Sequence, residues 1–279
     1  MKAIHMIDDY RRMCKEAEYV GKFEAYKAYT QKYHGFFNGV FKYLYCQPIE
    51  NMRAMIEYAD FNNLLKVAED NYKAGMVDCA LACINTLIER FHVDFGFSFL
   101  LGLELSNIGG CATPSDVGDP YLYIGIDKPL SKEWIEVFIP HEVFHMLRYR
   151  VTKDSAQETV FSRTIEEGLA SYASLWIHRL EWNVTNVAKT LGVSEKQADN
   201  LMKNTDVLLE KLISDGTKPI SSETMNEYFV VQYSDVEFPV IGYYVGLYLA
   251  HLSVQSGVDF EEFISMPRAK ITDMWFNRG

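Results

Sequence analysis

Large apolar residues recur at every third or fourth position through the first third of the chain, as on one face of an α-helix. The clearest stretch has apolar residues at Met76, Val77, Ala80, Leu81, Ile84, Leu87 and Ile88. We therefore expect helices over residues 1–92, with a break at the Gln47-Pro48 step, because the residue before a proline disfavours the helical conformation. No polar spacing typical of a reactive site occurs there, so this stretch is predicted to be a helical region packed on the rest of the chain.

The pattern changes after residue 92 to strict alternation. Every second residue is large and apolar at Phe95, Phe97, Phe99, Leu101, Leu103 and Leu105. A period of two predicts a strand with one buried face. Gly109-Gly110 is typical of a turn, and residues 121–126 are predicted to form a second strand. A small sheet should therefore precede the remaining helices.

Helical spacing returns after residue 130 and continues to the end of the chain. Ser131 is the candidate N-cap of the first helix, and Pro140 should kink or restart it because proline lacks a backbone donor. Arg148 lies in its last turn, where a cation complements the helix dipole. Residues 154–155 should cap a second long helix that reaches about residue 180. Further helices are predicted after Ser194, over 240–255 and after Pro267. The pattern as a whole predicts an α+β fold that is mainly α.

The composition is that of an ordinary globular protein, with 48% hydrophobic and 23% charged residues among 279. A net charge of −11 without any basic run argues against nucleic acid or an acidic membrane as partner. The longest apolar run, residues 240–254, is shorter than the about 20 residues of a membrane span and contains His251. Five cysteines, an odd number, and a charged start without an apolar signal core predict reduced thiols and a cytoplasmic location.

His141-Glu142-Val143-Phe144-His145 is the segment with the most specific chemistry. Residues four apart lie on one face of a helix, about 6 Å from each other, so both imidazoles can bind one tetrahedral metal ion. This HExxH pattern is typical of zinc hydrolases, in which the glutamate takes a proton from zinc-bound water. We therefore expect one Zn²⁺ ion, with Glu142 as general base. The alternative is a helix whose histidines bond to carbonyl groups, but burying these three polar side chains without partners is costly.

A catalytic zinc needs a third protein ligand and one open position. Glu166 and Glu167 lie in an otherwise apolar stretch of the next predicted helix, so at least one of them is expected to point inward. Gly168 follows them. Glycine costs about 1 kcal/mol inside a helix, which favours a close approach of another backbone at this point. The residues alone leave the choice between Glu166 and Glu167 open.

HEVFH followed on the next helix by EEGLASY resembles the gluzincin metallopeptidases. In that group the third ligand is the glutamate directly before the glycine, which implies Glu167 here. The resemblance implies that Glu166 is instead an acceptor that orients a histidine. It also implies a zincin-like catalytic domain over residues 93–279, after the helical region 1–92.

A closer resemblance, over about residues 95–275, is to a family of predicted zinc-dependent proteases first catalogued as a domain of unknown function. That family combines HExxH and EGLA with a Gly-Gly turn, a short strand, a late G-Y-x-x-G helix and a Met-Pro segment. The last four elements here are Gly109-Gly110, residues 121–126, residues 242–246 and Met266-Pro267.

The resemblance also implies roles in substrate binding and oxyanion stabilisation. Gluzincins hold an extended substrate on an edge strand through main-chain hydrogen bonds, and residues 121–126, with Tyr121 and Tyr123, are the candidates. A distant tyrosine or histidine stabilises the oxyanion. Tyr243 is the first candidate and Tyr244 the second.

Two of these residues have simpler interpretations. Gly242, Gly246 and Ala250 form a stripe of small residues suited to close helix packing, beside which Tyr243 could only pack. His251 shares a helix face with Tyr244 and is more typical of a core histidine than of a site residue.

The sequence therefore predicts a zinc peptidase that acts on a peptide or protein substrate. One alternative is a deformylase-like hydrolase with Cys111 as third ligand, but it leaves the EEGLA segment unexplained. The other is a helical binding or regulatory module with a non-catalytic metal site. Glu142 argues against the module, because a structural zinc has no use for a base.

Overall fold

Helices dominate the chain, as the apolar pattern predicts, and a small sheet is the only extended element within the described residues. The structure is a computed structural model that describes residues 4–92, 96–103, 109–112, 121–152, 158–230 and 238–276. The chain divides into two units, Met1–Ile135 and Glu136–Gly279. The α+β, mainly α class is confirmed.

The first unit contains short helices and the sheet. Its helices are α1 (Ile7–Val20), α2 (Lys22–Lys32), α3 (His34–Gly39), α4 (Arg53–Tyr58), α5 (Phe61–Lys73) and α6 (Met76–Phe91), with a π-helical turn at Val40–Leu44 and a 3₁₀ turn at Ile49–Met52. Its strands are β1 (Ile4–His5), β2 (Gly96–Leu100), β3 (Gly110–Ala112) and β4 (Tyr121–Gly125). The helices fall where the apolar period of residues 1–92 predicts them.

The sheet has the strand order β1-β2-β4-β3, in which β3 alone is antiparallel to its neighbour. The strand predicted over residues 121–126, β4, therefore lies inside the sheet, and the expectation that it forms an edge is wrong. Its main chain at residues 122–124 pairs with β2 on one side and β3 on the other. Those groups cannot accept an added substrate strand. Gly109, in the predicted Gly109-Gly110 turn, precedes β3 in the left-handed conformation (φ 67°) that favours glycine.

Hydrogen bonds attach the sheet segments to the helices of the same unit. The hydroxyl of Tyr10 donates to the carbonyl of Gly102 (2.9 Å), and that of Tyr29 donates to Leu101 (2.7 Å). The amide of Asn71 donates to the carbonyl of Ile126 (2.9 Å). Because residues that directly follow β2 and β4 bond to α1, α2 and α5, the sheet belongs with the N-terminal helices, whereas the sequence pattern places the boundary after residue 92.

The second unit consists of helices around a long central one. They are most of α7 (Lys132–Val151), α8 (Val160–Ile177), α9 (Val184–Leu191), α10 (Glu195–Lys203), α11 (Thr205–Asp215), α12 (Ser222–Tyr228), α13 (Ile241–Gln255), α14 (Glu262–Ser265) and α15 (Arg268–Phe276). α8 is buried along nearly its whole length, and the core of this unit lies around it and α13. None of the helices in the described ranges is both long and apolar enough to cross a lipid bilayer.

The helix boundaries follow local capping chemistry. The Ser131 hydroxyl accepts from the Trp134 amide (3.1 Å), and Ser194, where a helix is predicted to begin, forms a capping box with Gln197. α7 continues through Pro140 without restarting. α8 begins at a capping box on Thr159 and ends at Ile177, a shorter helix than predicted, and residues 154–155 lie outside the described residues.

Two glycines allow α8 and α13 to touch. A Cβ built on Gly168 would lie 2.2 Å from the carbonyl carbon of Gly246, and one built on Gly246 would lie 2.2 Å from the carbonyl oxygen of Thr164. No side chain fits between these backbones. The close approach predicted from Gly168 is confirmed, and it places the residues beside these glycines on the two helices next to one another.

Candidate metal centre

His141 and His145 lie one turn apart on α7 and turn their imidazoles towards the same point. The Nε2 atoms are 3.1 Å apart and the ring planes are inclined by 78°. Neighbours four residues apart on a helix share a face, which is why the HExxH spacing brings the two rings together.

Glu167 on α8 supplies a third atom at that point. Its Oε2 lies 3.3 Å from Nε2 of His141 and 3.4 Å from Nε2 of His145. Among the described residues, these three form a group whose ligand atoms lie within 4.8 Å of one another. The group can hold a metal ion.

The spacing of the three atoms can be compared with a tetrahedral site. Ligand atoms about 2.0–2.1 Å from a tetrahedral metal ion lie about 3.3 Å from one another. The observed separations are 3.1, 3.3 and 3.4 Å. The spacing of the three donor atoms therefore matches three corners of such a tetrahedron.

The charges of the group depend on one another. Burial by itself lowers the pKa of His145, but the adjacent Glu167 carboxylate outweighs burial and raises it. Burial raises the pKa of Glu167, but the two histidines hold it well below its usual range. A cation between these side chains is favoured electrostatically, and binding a metal ion there would release a proton from a protonated imidazole.

Nδ1 of His145 is buried and has no hydrogen-bond partner within the described residues. Metal-binding histidines usually donate this second N–H to an acceptor. The acceptor implied by the resemblance was Glu166, and the structure does not bring it there.

Glu166 instead pairs with a buried arginine, which corrects its assignment as an alternative ligand or histidine acceptor. Nε and Nη2 of Arg148 donate to its two carboxylate oxygens at 2.8 and 2.9 Å. Arg148 has no exposed side-chain surface and also donates to the carbonyls of Phe263 and Met266. It therefore joins α7, α8 and the segment before α15, and it does not simply cap the dipole of α7.

Tyr243 on α13 lies beside the group. Its ring stacks on that of His141, with centroids 6.2 Å apart and an interplanar angle of 24°. Burial, reinforced by the Glu167 charge, raises the pKa of this hydroxyl well above its usual value. The structure thus brings the first candidate for oxyanion binding to the metal ligands.

Glu142 is also close to the group. Its charge contributes to raising the pKa of His145, Tyr149 and Tyr243. The position next to His141 on α7 therefore brings a base to the candidate site.

The remaining candidates lie elsewhere. The Tyr244 hydroxyl is 2.5 Å from the hydroxyl of Thr205, which corrects its assignment as second choice for the oxyanion. The His251 ring stacks on Trp182, with centroids 4.4 Å apart, as expected of a core histidine.

Three candidates belong to the first unit. Cys111 lies in β3 and is not a member of the ligand group. The Tyr121 hydroxyl donates to the Phe97 carbonyl (2.7 Å), and the Tyr123 side chain is buried. Since β4 lies between β2 and β3, it cannot bind an extended substrate as an edge strand would.

Two residues that contact the candidate ligands were not identified from the sequence. Arg163 lies one turn before Glu167 on α8, and its Nη2 is 3.3 Å from the Oε1 of that carboxylate. Tyr149 lies one turn after His145 and stacks on its ring, at 5.9 Å and 11°. Both are four residues from a ligand, a spacing that the sequence shows.

Comparison of the chain with models of known protein families, with curated proteins and with solved structures finds no match in any of the three. The interpretation of the site therefore depends on its geometry and chemistry.

Proposed function

We propose that this protein is a zinc-dependent peptidase of the gluzincin type, with zinc held by His141, His145 and Glu167. The observation that carries the proposal is the convergence of three ligand atoms at 3.1–3.4 Å, and a glutamate follows the first of these ligands in the sequence. Two imidazoles and one carboxylate, with a fourth position left for water or substrate, are a donor set of catalytic zinc sites. Zinc, when bound, supplies a Lewis acid that polarises the scissile carbonyl and acidifies water.

Glu142 is the general base in this proposal. Its carboxylate takes the proton of the attacking water and passes it to the nitrogen of the departing amine. A structural metal site needs no such group, which distinguishes a peptidase from a binding or regulatory module with a non-catalytic metal.

Tyr243 is the hydrogen-bond donor to the developing oxyanion. Its raised pKa keeps the hydroxyl protonated at neutral pH, so it can donate. The resemblance of HEVFH and EEGLA to gluzincins supports a peptide bond as the bond cleaved.

Glu142→Gln tests the mechanism. We expect the purified variant to keep one zinc per chain by metal analysis, because Glu142 is not a ligand. Cleavage of a mixed peptide library should fall by about 10²–10⁴-fold, the contribution typical of a general base. Glu136→Gln is the matched control, because Glu136 lies on the same helix but pairs with Lys189 (3.0 Å), and it should cleave like the wild type.

Either of two outcomes would refute the proposal. A wild-type protein that binds zinc but cleaves no member of the library would favour the regulatory module. Equal cleavage by wild type and Glu142→Gln would exclude the mechanism even if the protein is a peptidase.

A further inference from the structure

We propose that Arg163 is a positioning residue that restricts Glu167 to binding the metal through one oxygen. The inference rests on the metal site of the proposed function but not on peptidase activity. The inference concerns how many coordination positions of the metal ion the protein fills and how many remain for water and substrate.

The two oxygens of Glu167 face different partners. Oε2 lies 3.3 and 3.4 Å from the two histidine nitrogens, whereas Oε1 lies 3.3 Å from Nη2 of Arg163. A guanidinium group donates along fixed directions, so its contact holds one carboxylate oxygen at a defined place. With Oε1 engaged, Oε2 alone points to the metal position.

Arg163 is itself held in place. Its Nη1 donates to both carboxylate oxygens of Glu158, at 3.2 and 3.3 Å, and its guanidinium carbon lies 5.6 Å from the centre of the Phe229 ring. The side chain is mostly buried, with 26% of its surface exposed. Arg163 is therefore held by contacts with Glu158 and Phe229 as well as with Glu167, and it can act as a support for the ligand.

This arrangement decides the coordination number. A carboxylate free to use both oxygens would fill two positions of the metal, and with the two histidines it would leave less room for water and substrate. A catalytic zinc requires an open position, so a device that keeps the glutamate monodentate serves the reaction.

The test is the visible absorption spectrum of the cobalt(II)-substituted protein, which weakens as coordination number rises from four to five. Arg163→Met removes the charge and retains much of the volume. We expect its cobalt absorption to fall clearly below that of wild type, and its zinc affinity, measured against a chromophoric chelator, to fall by roughly 10-fold. Arg163→Lys keeps the charge and should recover part of both signals.

Arg268→Met is the matched control. Arg268 is similarly exposed (21%), but its Nε lies 3.5 Å from Glu166, the glutamate that does not bind the metal. The control should keep the wild-type cobalt spectrum. Circular dichroism spectra and melting temperatures, measured for the metal-free form of each variant, establish whether the variants are folded.

The outcomes separate this inference from the proposed function. If wild-type protein binds neither cobalt nor zinc, the proposed function fails, and the inference fails with it. If wild type binds cobalt and Arg163→Met gives the same spectrum and affinity, only the inference is overturned. Equal loss in Arg163→Met and Arg268→Met would show a general effect of charge and would also overturn it.

Discussion

Gly168→Ala would place a methyl group where α8 and α13 touch. The new Cβ would lie 2.2 Å from the carbonyl carbon of Gly246 and 2.7 Å from the backbone nitrogen of Leu247. Backbone atoms cannot rotate away as the end of a side chain can. The two helices must therefore separate.

The size of the effect follows from these distances. Carbon atoms in contact lie about 3.5–4.0 Å apart, so the helices must move by more than about 1 Å. Overpacking of this kind costs up to about 3 kcal/mol, of which alanine recovers about 1 kcal/mol through its helix propensity. The expected net loss in unfolding free energy is about 2 kcal/mol, which lowers the melting temperature by about 4–8 °C.

The same displacement should weaken the metal centre. Glu167 directly precedes Gly168, and Tyr243 lies one turn before Gly246 on the opposing helix. A shift of about 1 Å moves the carboxylate away from the histidine nitrogens, so zinc affinity should fall by at least about 10-fold, as for lost supporting contacts.

Chemical denaturation of the metal-free protein and a zinc titration measure the two effects. Gly35→Ala is the control, because a Cβ on Gly35 in α3 meets nothing within 4 Å and its φ is not positive. The control should be as stable as wild type or up to about 1 kcal/mol more stable. If Gly168→Ala unfolds within about 0.5 kcal/mol of wild type and binds zinc normally, the helices are not held together as described.

Three further variants test the ion pair of the buried Arg148 and the half-buried imidazole of His251. Arg148→Met removes two hydrogen bonds from the Glu166 carboxylate and leaves it the 3.5 Å contact with Arg268, so the free energy of unfolding in urea should fall by up to about 3–5 kcal/mol. Arg148→Met/Glu166→Gln should recover part of this loss, and a single variant within about 1 kcal/mol of wild type would contradict the assignment. Burial lowers the pKa of His251, so the unfolded chain binds a proton at this residue at a higher pH than the folded protein does. The free energy of unfolding should therefore decrease as the pH falls from about 7 through about 6.5, the usual pKa of histidine, towards the lower pKa of His251 in the folded protein. His251→Gln should lose less stability than wild type between pH 7.5 and 5.5, and an equal loss would refute this.

The sequence by itself determined the local features of this protein. The two histidines of HExxH share a helix face because four residues make about one turn, and the structure places their Nε2 atoms 3.1 Å apart. Ser131 and Ser194 mark helix starts because a cap bonds to an amide three residues away. Even the contact at Gly168 was predictable, since a glycine that weakens its helix needs a compensating reason.

Only the tertiary structure decided between neighbours in sequence. Glu166 and Glu167 point in directions about 100° apart around α8. Since both are glutamates, the sequence alone does not show which of them faces α7. Packing turns Glu167 to the histidines and Glu166 to Arg148. Similarly, β4 is predictable as a strand, but its place between β2 and β3 depends on pairing between distant segments. Contacts between residues up to about four positions apart can be predicted from their spacing in the chain. Strand order and the partner of a buried charge depend instead on which elements pack together in the folded core.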